Sequence, residues 1–192
     1  MKNTMEKRLS KAELDGRKIF GYAAVYGPLS EDLGGFRERV SPSAFKRIVD
    51  DETVDVRALV NHDTAMVLGR RASGTLSIRS TEHGLRVEID PPDTSYVADL
   101  KALMKRGDVS QMSFGFFVRP GGDTWGEENG QRIRTLTDVE LIEVSVVTIP
   151  AYPDTSAALR SLRGIDQMRA IRDRELWLMK NRIVRPRLYT PD

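Results

Sequence analysis

The sequence predicts a mostly β fold, in the form of a closed or nearly closed β-barrel of about six to seven strands with two or three peripheral helices. Short apolar segments of strand length recur along the 192 residues, and most are separated by Gly, Asp, Ser or Asn. Segments with a helical period are few. Hydrophobic residues make up 40% of the chain and charged residues 30%, which is typical of a globular protein rather than a disordered one.

Seven segments are predicted to be strands. The first is an apolar run that ends at Gly27-Pro28, a strong turn signal. Two others alternate apolar with polar residues on either side of a short polar turn, which is typical of a hairpin. The predicted strands cover residues 18–27, 54–60, 74–79, 85–89, 111–118, 132–136 and 140–149.

Three segments are predicted to be helices. Ser41 is a suitable N-cap for a short helix over 43–49. A second helix would begin with Asp93 as its cap and end at Gly107, with apolar residues at three- and four-residue spacing between them. A third, partly amphipathic helix is predicted over 163–182.

The charge pattern divides the chain into a barrel domain, residues 1–159, and a basic helical tail, residues 160–192. The tail carries nine Lys and Arg against four acidic residues. Such a tail is compatible with a solvated helix face, an acidic partner or nucleic acid, but no aromatic interleaving or base-reading motif favours nucleic acid. No apolar run is long enough to span a membrane, and the first residues do not resemble a secretory signal.

The chain has no cysteine and only two histidines, His62 and His83. Disulfides, thiolate metal sites and cysteine nucleophiles are therefore excluded, and the sequence predicts neither a zinc site nor another cofactor. By alternation His62 would share a strand face with Val56, Ala58 and Val60. It is either a structural histidine or a general base, whereas His83 is expected to be exposed in a turn.

Ser113 is the candidate nucleophile. In the segment 111–118, Met112, Phe114 and Phe116 would form one apolar face, with Ser113 and Gly115 on the other. A serine beside a glycine leaves open space above a sheet, into which a substrate backbone could fit. The alternative is a glycine bulge with a serine that bonds to the neighbouring strand.

Glu143 interrupts the otherwise apolar segment 140–149. A carboxylate in such a strand is costly unless it is paired. It would either lie at an edge, form a salt bridge with an arginine, or accept the second ring N–H of a histidine. Together His62, Ser113 and Glu143 offer a base, a nucleophile and an orienting acid on separate strands.

At these residues the sequence resembles the prohead, or capsid maturation, serine proteases of tailed bacteriophages. The resemblance extends over about three quarters of the chain, in the order and spacing of several short motifs. They include Gly21-Tyr22-Ala23-Ala24-Val25-Tyr26-Gly27, Asn61-His62-Asp63, Met112-Ser113-Phe114-Gly115-Phe116 and Glu143-Val144-Ser145.

The resemblance implies the fold of the herpesvirus maturation protease, a β-barrel surrounded by helices. It also implies a serine endopeptidase with Ser113 as nucleophile and His62 as general base. Glu143 stands where the herpesvirus enzyme has a second histidine, and Asp63 is the second choice for that role. A backbone N–H, or a water held by Arg70 or Arg71, would stabilise the oxyanion.

The implied substrates are the capsid protein's scaffold segment, or a separate scaffold, and the protease itself. The implied partners include further copies in a homo-oligomer but neither membrane nor specific nucleic acid. The implied location is the bacterial host cytoplasm, inside the assembling prohead. The tail would direct incorporation into the prohead or be removed by self-cleavage. The alternatives are a non-enzymatic capsid assembly module and a nucleic-acid-binding barrel.

Overall fold

A computed structural model of the protein describes residues 12–148, and its secondary structure confirms the mostly β prediction. The strands are β1 (Ala12–Asp15), β2 (Lys18–Val25), β3 (Arg37–Val40), β4 (Arg57–Val60), β5 (Asp63–Arg70), β6 (Leu76–Ser80), β7 (Gly84–Ile89), β8 (Gln111–Val118), β9 (Asp123–Glu128), β10 (Gln131–Leu136) and β11 (Val139–Val147). The helices are α1 (Lys46–Asp50) and α2 (Ser95–Arg106), and a 3-10 turn covers Arg71–Ser73.

Each of the seven predicted strands overlaps an observed strand, but four further strands were not predicted. These are β1, β3, β5 and β9. The first two have only four residues each, and β9 is exposed along most of its length. Such strands carry little apolar alternation, which is the signal on which strand prediction depends.

The described strands form three sheets. One is antiparallel with the order β1-β2-β7-β6, and a second has the order β3-β10-β9. The third has the order β5-β4-β11-β8, in which β4 and β11 are parallel and the other neighbours antiparallel. We call this third sheet the catalytic sheet, because all three candidate catalytic residues lie on it or on its connecting turn.

The prediction of one closed barrel of six to seven strands is wrong, since none of the three sheets within residues 12–148 closes on itself. The strands β5 and β6 follow each other in the chain but belong to different sheets. At their junction the Arg70 N–H donates to Thr75 Oγ1 (2.9 Å) and the Thr75 N–H donates to the Arg70 carbonyl (3.2 Å). These bonds close a turn rather than a ladder. The end of β2 is joined to β3 of the second sheet by an isolated parallel bridge between Tyr26 and Val40, in which the Gly27 N–H donates to the Val40 carbonyl at 3.1 Å.

The main hydrophobic core lies between the two four-stranded sheets. Fully buried side chains from both sheets contribute to it, among them Ile19, Leu85, Ile89, Ala58 and Val144. Phe45, at the start of α1, is 0% exposed and stacks on Tyr26 at 6.3 Å between ring centroids. It also contacts the Phe114 ring edge-on at 5.5 Å. The aromatic contacts therefore connect α1 to both sheets.

The first helix begins later than predicted. It starts at Lys46 with Phe45 in the N-cap position, so the prediction of Ser41 as N-cap is wrong. The Ala44 N–H donates to the Ser41 carbonyl at 3.0 Å, and the Ser43 hydroxyl donates to the Thr137 carbonyl at 3.0 Å. These bonds hold the preceding residues in turns.

The second helix is close to its prediction. Thr94 rather than Asp93 occupies the N-cap position. Gly107 ends the helix with a φ of 86°, and its N–H donates to the carbonyls of Leu103 and Met104. The left-handed conformation favours glycine at this position, as predicted.

The predicted helix over 163–182 and the basic tail lie outside the described residues, so the division into two domains stays a prediction. Within residues 12–148, neither helix combines the length and apolar character needed to cross a membrane.

Candidate active site

A β-bulge in β11 determines where the Glu143 side chain lies. The pairing of β11 with β8 shifts register between Leu141 and Glu143. Simple alternation would place these two residues on one face of the strand. Leu141 instead lies in the hydrophobic core together with Val144, and Glu143 therefore lies on the opposite face. The extra residue, Ile142, thus re-aims the carboxylate away from the core, as bulges near active sites commonly do.

Ser113 lies on the same face of the catalytic sheet as Glu143. Its register partner on β11 is Ser145, and the partner of Gly115 is Glu143. Directly opposed residues point to one face, with their Cβ atoms about 5 Å apart. Met112 and Phe114 lie in the core, which confirms the predicted division of β8 into an apolar face and a Ser-Gly face.

His62 lies in a two-residue turn between β4 and β5, not on a continuous strand. Asn61 and His62 both have positive φ values, 49° and 60°, and Val60 pairs with Asp63 across the turn. This is the geometry of a type I′ hairpin turn, in which Asn and His are among the better tolerated non-glycine residues. The prediction that His62 shares a face with Val56, Ala58 and Val60 is wrong, because the left-handed backbone ends the strand alternation.

Backbone hydrogen bonds tie this turn to β11. The Asn61 N–H donates to the Val146 carbonyl at 2.9 Å, and the Asn61 side-chain oxygen accepts the Thr148 N–H at 2.9 Å. The His62 N–H donates to Ser145 Oγ at 3.2 Å. The turn that carries His62 is therefore fixed against the strand that carries Glu143.

The His62 ring and the Glu143 carboxylate form a hydrogen-bonded pair. Nδ1 of His62 lies 2.7 Å from Oε1 of Glu143, and their side chains are 18% and 1% exposed. A buried carboxylate needs such a partner. With a carboxylate as acceptor, Nδ1 carries the proton and Nε2 keeps its lone pair in the neutral ring. The imidazole is then in the tautomer that can accept a proton from a hydroxyl.

The sequence did not single out Ser145, and it assigned the space beside Gly115 to a substrate backbone, whereas the Glu143 side chain occupies that space. The Ser145 hydroxyl donates to Oε2 of Glu143, and Ser145 is 0% exposed. A Cβ atom at Gly115 would lie 3.2 Å from both Cγ and Cδ of Glu143 and closer still to Oε1. A polar residue two positions after Glu143 in an apolar strand was the available signal for Ser145, since such residues share a face.

Both candidate arginines have structural partners. Arg70 pairs with Asp55 through Nε (2.8 Å) and through a second nitrogen (2.7 Å), and this hydrogen bonding holds the pKa of Asp55 below its ordinary value. Arg71 donates to the carbonyls of Ile48 (2.6 Å) and Asp51 (3.1 Å). Both guanidinium groups are therefore engaged in structural contacts.

The remaining sequence candidates lie apart from the pair. Asp63 is exposed, and its carboxylate accepts the Ala65 N–H at 2.8 Å, so it stabilises its own turn. His83 is exposed in the turn between β6 and β7, as predicted, and its ring contacts Tyr22 edge-on at 6.4 Å. The side chains of Asp63 and His83 thus have other contacts, whereas that of Glu143 is bonded to the His62 ring.

Comparison with known proteins identifies the family. Residues 4–170 match the family described as caudovirus prohead serine protease. The chain belongs to this family. It is also 33% identical, over 168 residues, to a protein named prohead protease from Enterobacteria phage HK97, and the match covers 85% of this chain and 69% of that relative. No solved structure matches the chain significantly, so the implied herpesvirus protease fold stays a prediction.

Membership in the caudovirus prohead serine protease family confirms the predicted resemblance and the enzyme class, a serine peptidase. It favours the peptidase interpretation over the alternatives of a non-enzymatic assembly module and a nucleic-acid-binding barrel. The individual roles of His62, Ser113 and Glu143 are not assigned by this match and are argued below from the geometry.

Proposed function

We propose that this chain is a serine endopeptidase that cleaves capsid scaffold segments during prohead maturation, with Ser113 as nucleophile, His62 as general base and Glu143 as orienting acid. One observation carries the assignment. In this member of a serine peptidase family, Nδ1 of the half-buried His62 lies 2.7 Å from Oε1 of the buried Glu143, and Ser113 lies on the same face of the catalytic sheet as Glu143.

The proposed reaction proceeds through an acyl-enzyme. Ser113 Oγ attacks the scissile carbonyl carbon while its proton passes to Nε2 of His62. His62 then returns this proton to the leaving amine as the C–N bond breaks. A water molecule attacks the resulting ester, gives its proton to His62, and Ser113 regains a proton as the acid product leaves. The oxyanion formed at each attack requires a donor, for which a backbone N–H is our remaining candidate.

Glu143 contributes without taking up the proton. Its negative charge stabilises the imidazolium that forms in each half-reaction, and its hydrogen bond keeps the proton of the neutral ring on Nδ1. Burial strengthens both effects, because the carboxylate side chain is only 1% exposed and is poorly screened by water.

The proposed substrates follow from the family and from the name of the HK97 relative, prohead protease. A prohead protease acts where the shell assembles, so we propose the scaffold segment of the capsid protein, or a separate scaffold, as the substrate in the host cytoplasm. We also propose that the protease cleaves itself, with the basic segment 160–192 either removed or used for incorporation into the prohead. No cofactor takes part in these steps.

Co-expression with the capsid protein of the same phage tests the catalytic assignment. Ser113→Ala and His62→Ala should each abolish processing, since removal of either group in a well-studied serine protease costs about 10⁶-fold in rate. Glu143→Gln should reduce processing by a smaller factor, on the order of 10⁴-fold. His83→Ala, at the other histidine, is the matched control and should process normally. Normal processing by Ser113→Ala would show that the nucleophile is misassigned.

Mass spectrometry of the chain expressed alone tests self-cleavage. The wild-type protein should lose a C-terminal fragment that Ser113→Ala retains. An intact C-terminus in both proteins would remove self-cleavage from the proposal and leave the action on capsid protein to the co-expression test.

A further inference from the structure

The Ser145 hydroxyl connects the two members of the His–Glu pair. It donates to Oε2 of Glu143, on the carboxylate oxygen that His62 does not use. The Ser145 Oγ atom also accepts the backbone N–H of His62 at 3.2 Å. One side chain therefore contacts both the carboxylate and the turn that carries the imidazole.

Ser145 is not suited to be the nucleophile itself. Its proton is directed at Glu143, and its contact with His62 is with the backbone rather than with the ring. Ser113 lies across the ladder from Ser145, on the edge strand of the catalytic sheet. The two serines thus share one face of the sheet, and the Ser145 hydroxyl is already bonded to Glu143.

Two conformational freedoms have to be removed for the pair to work. The last side-chain torsion of a glutamate adopts a broad range of angles, so the carboxylate needs a second contact to hold one oxygen toward Nδ1. The His62 backbone has a φ of 60°, which is sparsely populated by residues other than glycine and needs support from its surroundings. The Ser145 hydroxyl meets both requirements with one donor and one acceptor bond.

We propose that Ser145 is a positioning residue for the peptidase reaction, which holds the Glu143 carboxylate and the His62 turn in the geometry that general-base catalysis requires. This inference rests on the proposed function. It assigns Ser145 no contact with substrate and no proton transfer to the reacting atoms.

Steady-state kinetics of a cleavable peptide or of capsid protein tests the proposal. Ser145→Ala should lower kcat by about 10² while KM changes less than about two-fold, since a misplacement near 1 Å has such an effect on rate. Ser80→Ala is the matched control, because it also removes a serine hydroxyl bond, that with Tyr26 (2.9 Å), but on a different sheet. A kcat within two-fold of wild type for Ser145→Ala would overturn the proposal, even if its melting temperature fell.

A shape-matched pair of variants covers the case in which Ser145→Ala does not fold. Ser145→Thr keeps the hydroxyl, and Ser145→Val replaces it with a methyl group of nearly the same volume. We expect Thr to retain at least ten times the kcat of Val. Equal kcat values for the two variants would overturn the proposal, because shape alone would then account for the effect.

Nuclear magnetic resonance gives a readout that does not depend on activity. In the Ser113→Ala background at neutral pH, the His62 Nδ1 proton should give a resolved downfield signal. Addition of Ser145→Ala should broaden this signal, because the proton would exchange faster with water. An unchanged signal would overturn the role of Ser145. Cleavage by Ser113→Ala itself would instead refute the proposed function, so the two failures are distinguishable.

Discussion

Replacement of Gly115 by alanine tests the geometry of the His62–Glu143 pair, because Gly115 lies beside Glu143 on the strand away from the His62 turn. An added Cβ would lie 3.2 Å from Cγ and Cδ of Glu143 and closer to Oε1. Ordinary van der Waals contact begins at 3.4 Å, so Oε1 would have to withdraw by about 1 Å.

The carboxylate has little room for this movement. The strand β11 lies between β8 and β4, so Gly115 is on one side of Glu143 and the His62 turn on the other. A shift away from residue 115 is directed toward the His62 side, where Nδ1 is already at 2.7 Å. Glu143 therefore has to rotate away and lose this hydrogen bond, which is worth about 1.5–3 kcal/mol for a charged acceptor.

We expect Gly115→Ala to lower kcat by about 10² and to lower the free energy of unfolding by about 1–3 kcal/mol. The assays are processing of co-expressed capsid protein and urea unfolding of the purified chain. Gly126→Ala is the matched control, because its Cβ would meet nothing within 4 Å. Folded Gly115→Ala with kcat within two-fold of wild type would refute the claim that the carboxylate must hold the imidazole.

Three further outcomes follow from the contacts described above. Asp55→Asn should lower the free energy of unfolding by about 1 kcal/mol at pH 7, because Arg70 depresses the pKa of Asp55 in the folded state. The stabilisation by ionised Asp55 is fully present above the pKa of this residue in the unfolded chain, about 3.9, and is lost as the pH falls through its lower pKa in the folded protein. The free energies of unfolding of the two proteins, measured in urea, should therefore converge below about pH 4. Arg71→Met should lower stability by about 1–2 kcal/mol with kcat within two-fold of wild type, whereas a kcat loss of about 10² would restore Arg71 as an oxyanion-stabilising residue. Phe45→Ala should cost about 3–5 kcal/mol in urea unfolding, and a loss below 1 kcal/mol would contradict its central place in the core.

The sequence predicted the strands that have an apolar face, because period-two alternation is visible without any partner. Met112 and Phe114 identified the core face of β8 and thereby the opposite face, with Ser113. Four strands lacked this signal. The arrangement in three sheets was also not predictable, since the junction between β5 and β6 depends on the local bonds of Arg70 and Thr75 rather than on periodicity.

The three candidate catalytic residues could be named from the sequence, but Ser145 and the geometry of the site could not. Alternation placed His62 on a core-facing strand, whereas two consecutive positive φ values place it in a turn. A regular strand would put Glu143 on the face of Leu141, whereas the bulge separates them. Regular alternation does not predict backbone irregularities of one or two residues, yet here they determine which side chains meet.

The bulge at Ile142 gives β11 one residue more than β8 along the same ladder. Deletion of Ile142 would place Leu141 directly before Glu143, so regular pairing would keep Leu141 in the core and Glu143 and Ser145 on the opposite face. The strand can therefore lose this residue without exchanging its two faces, which a deletion within a regularly paired strand would do.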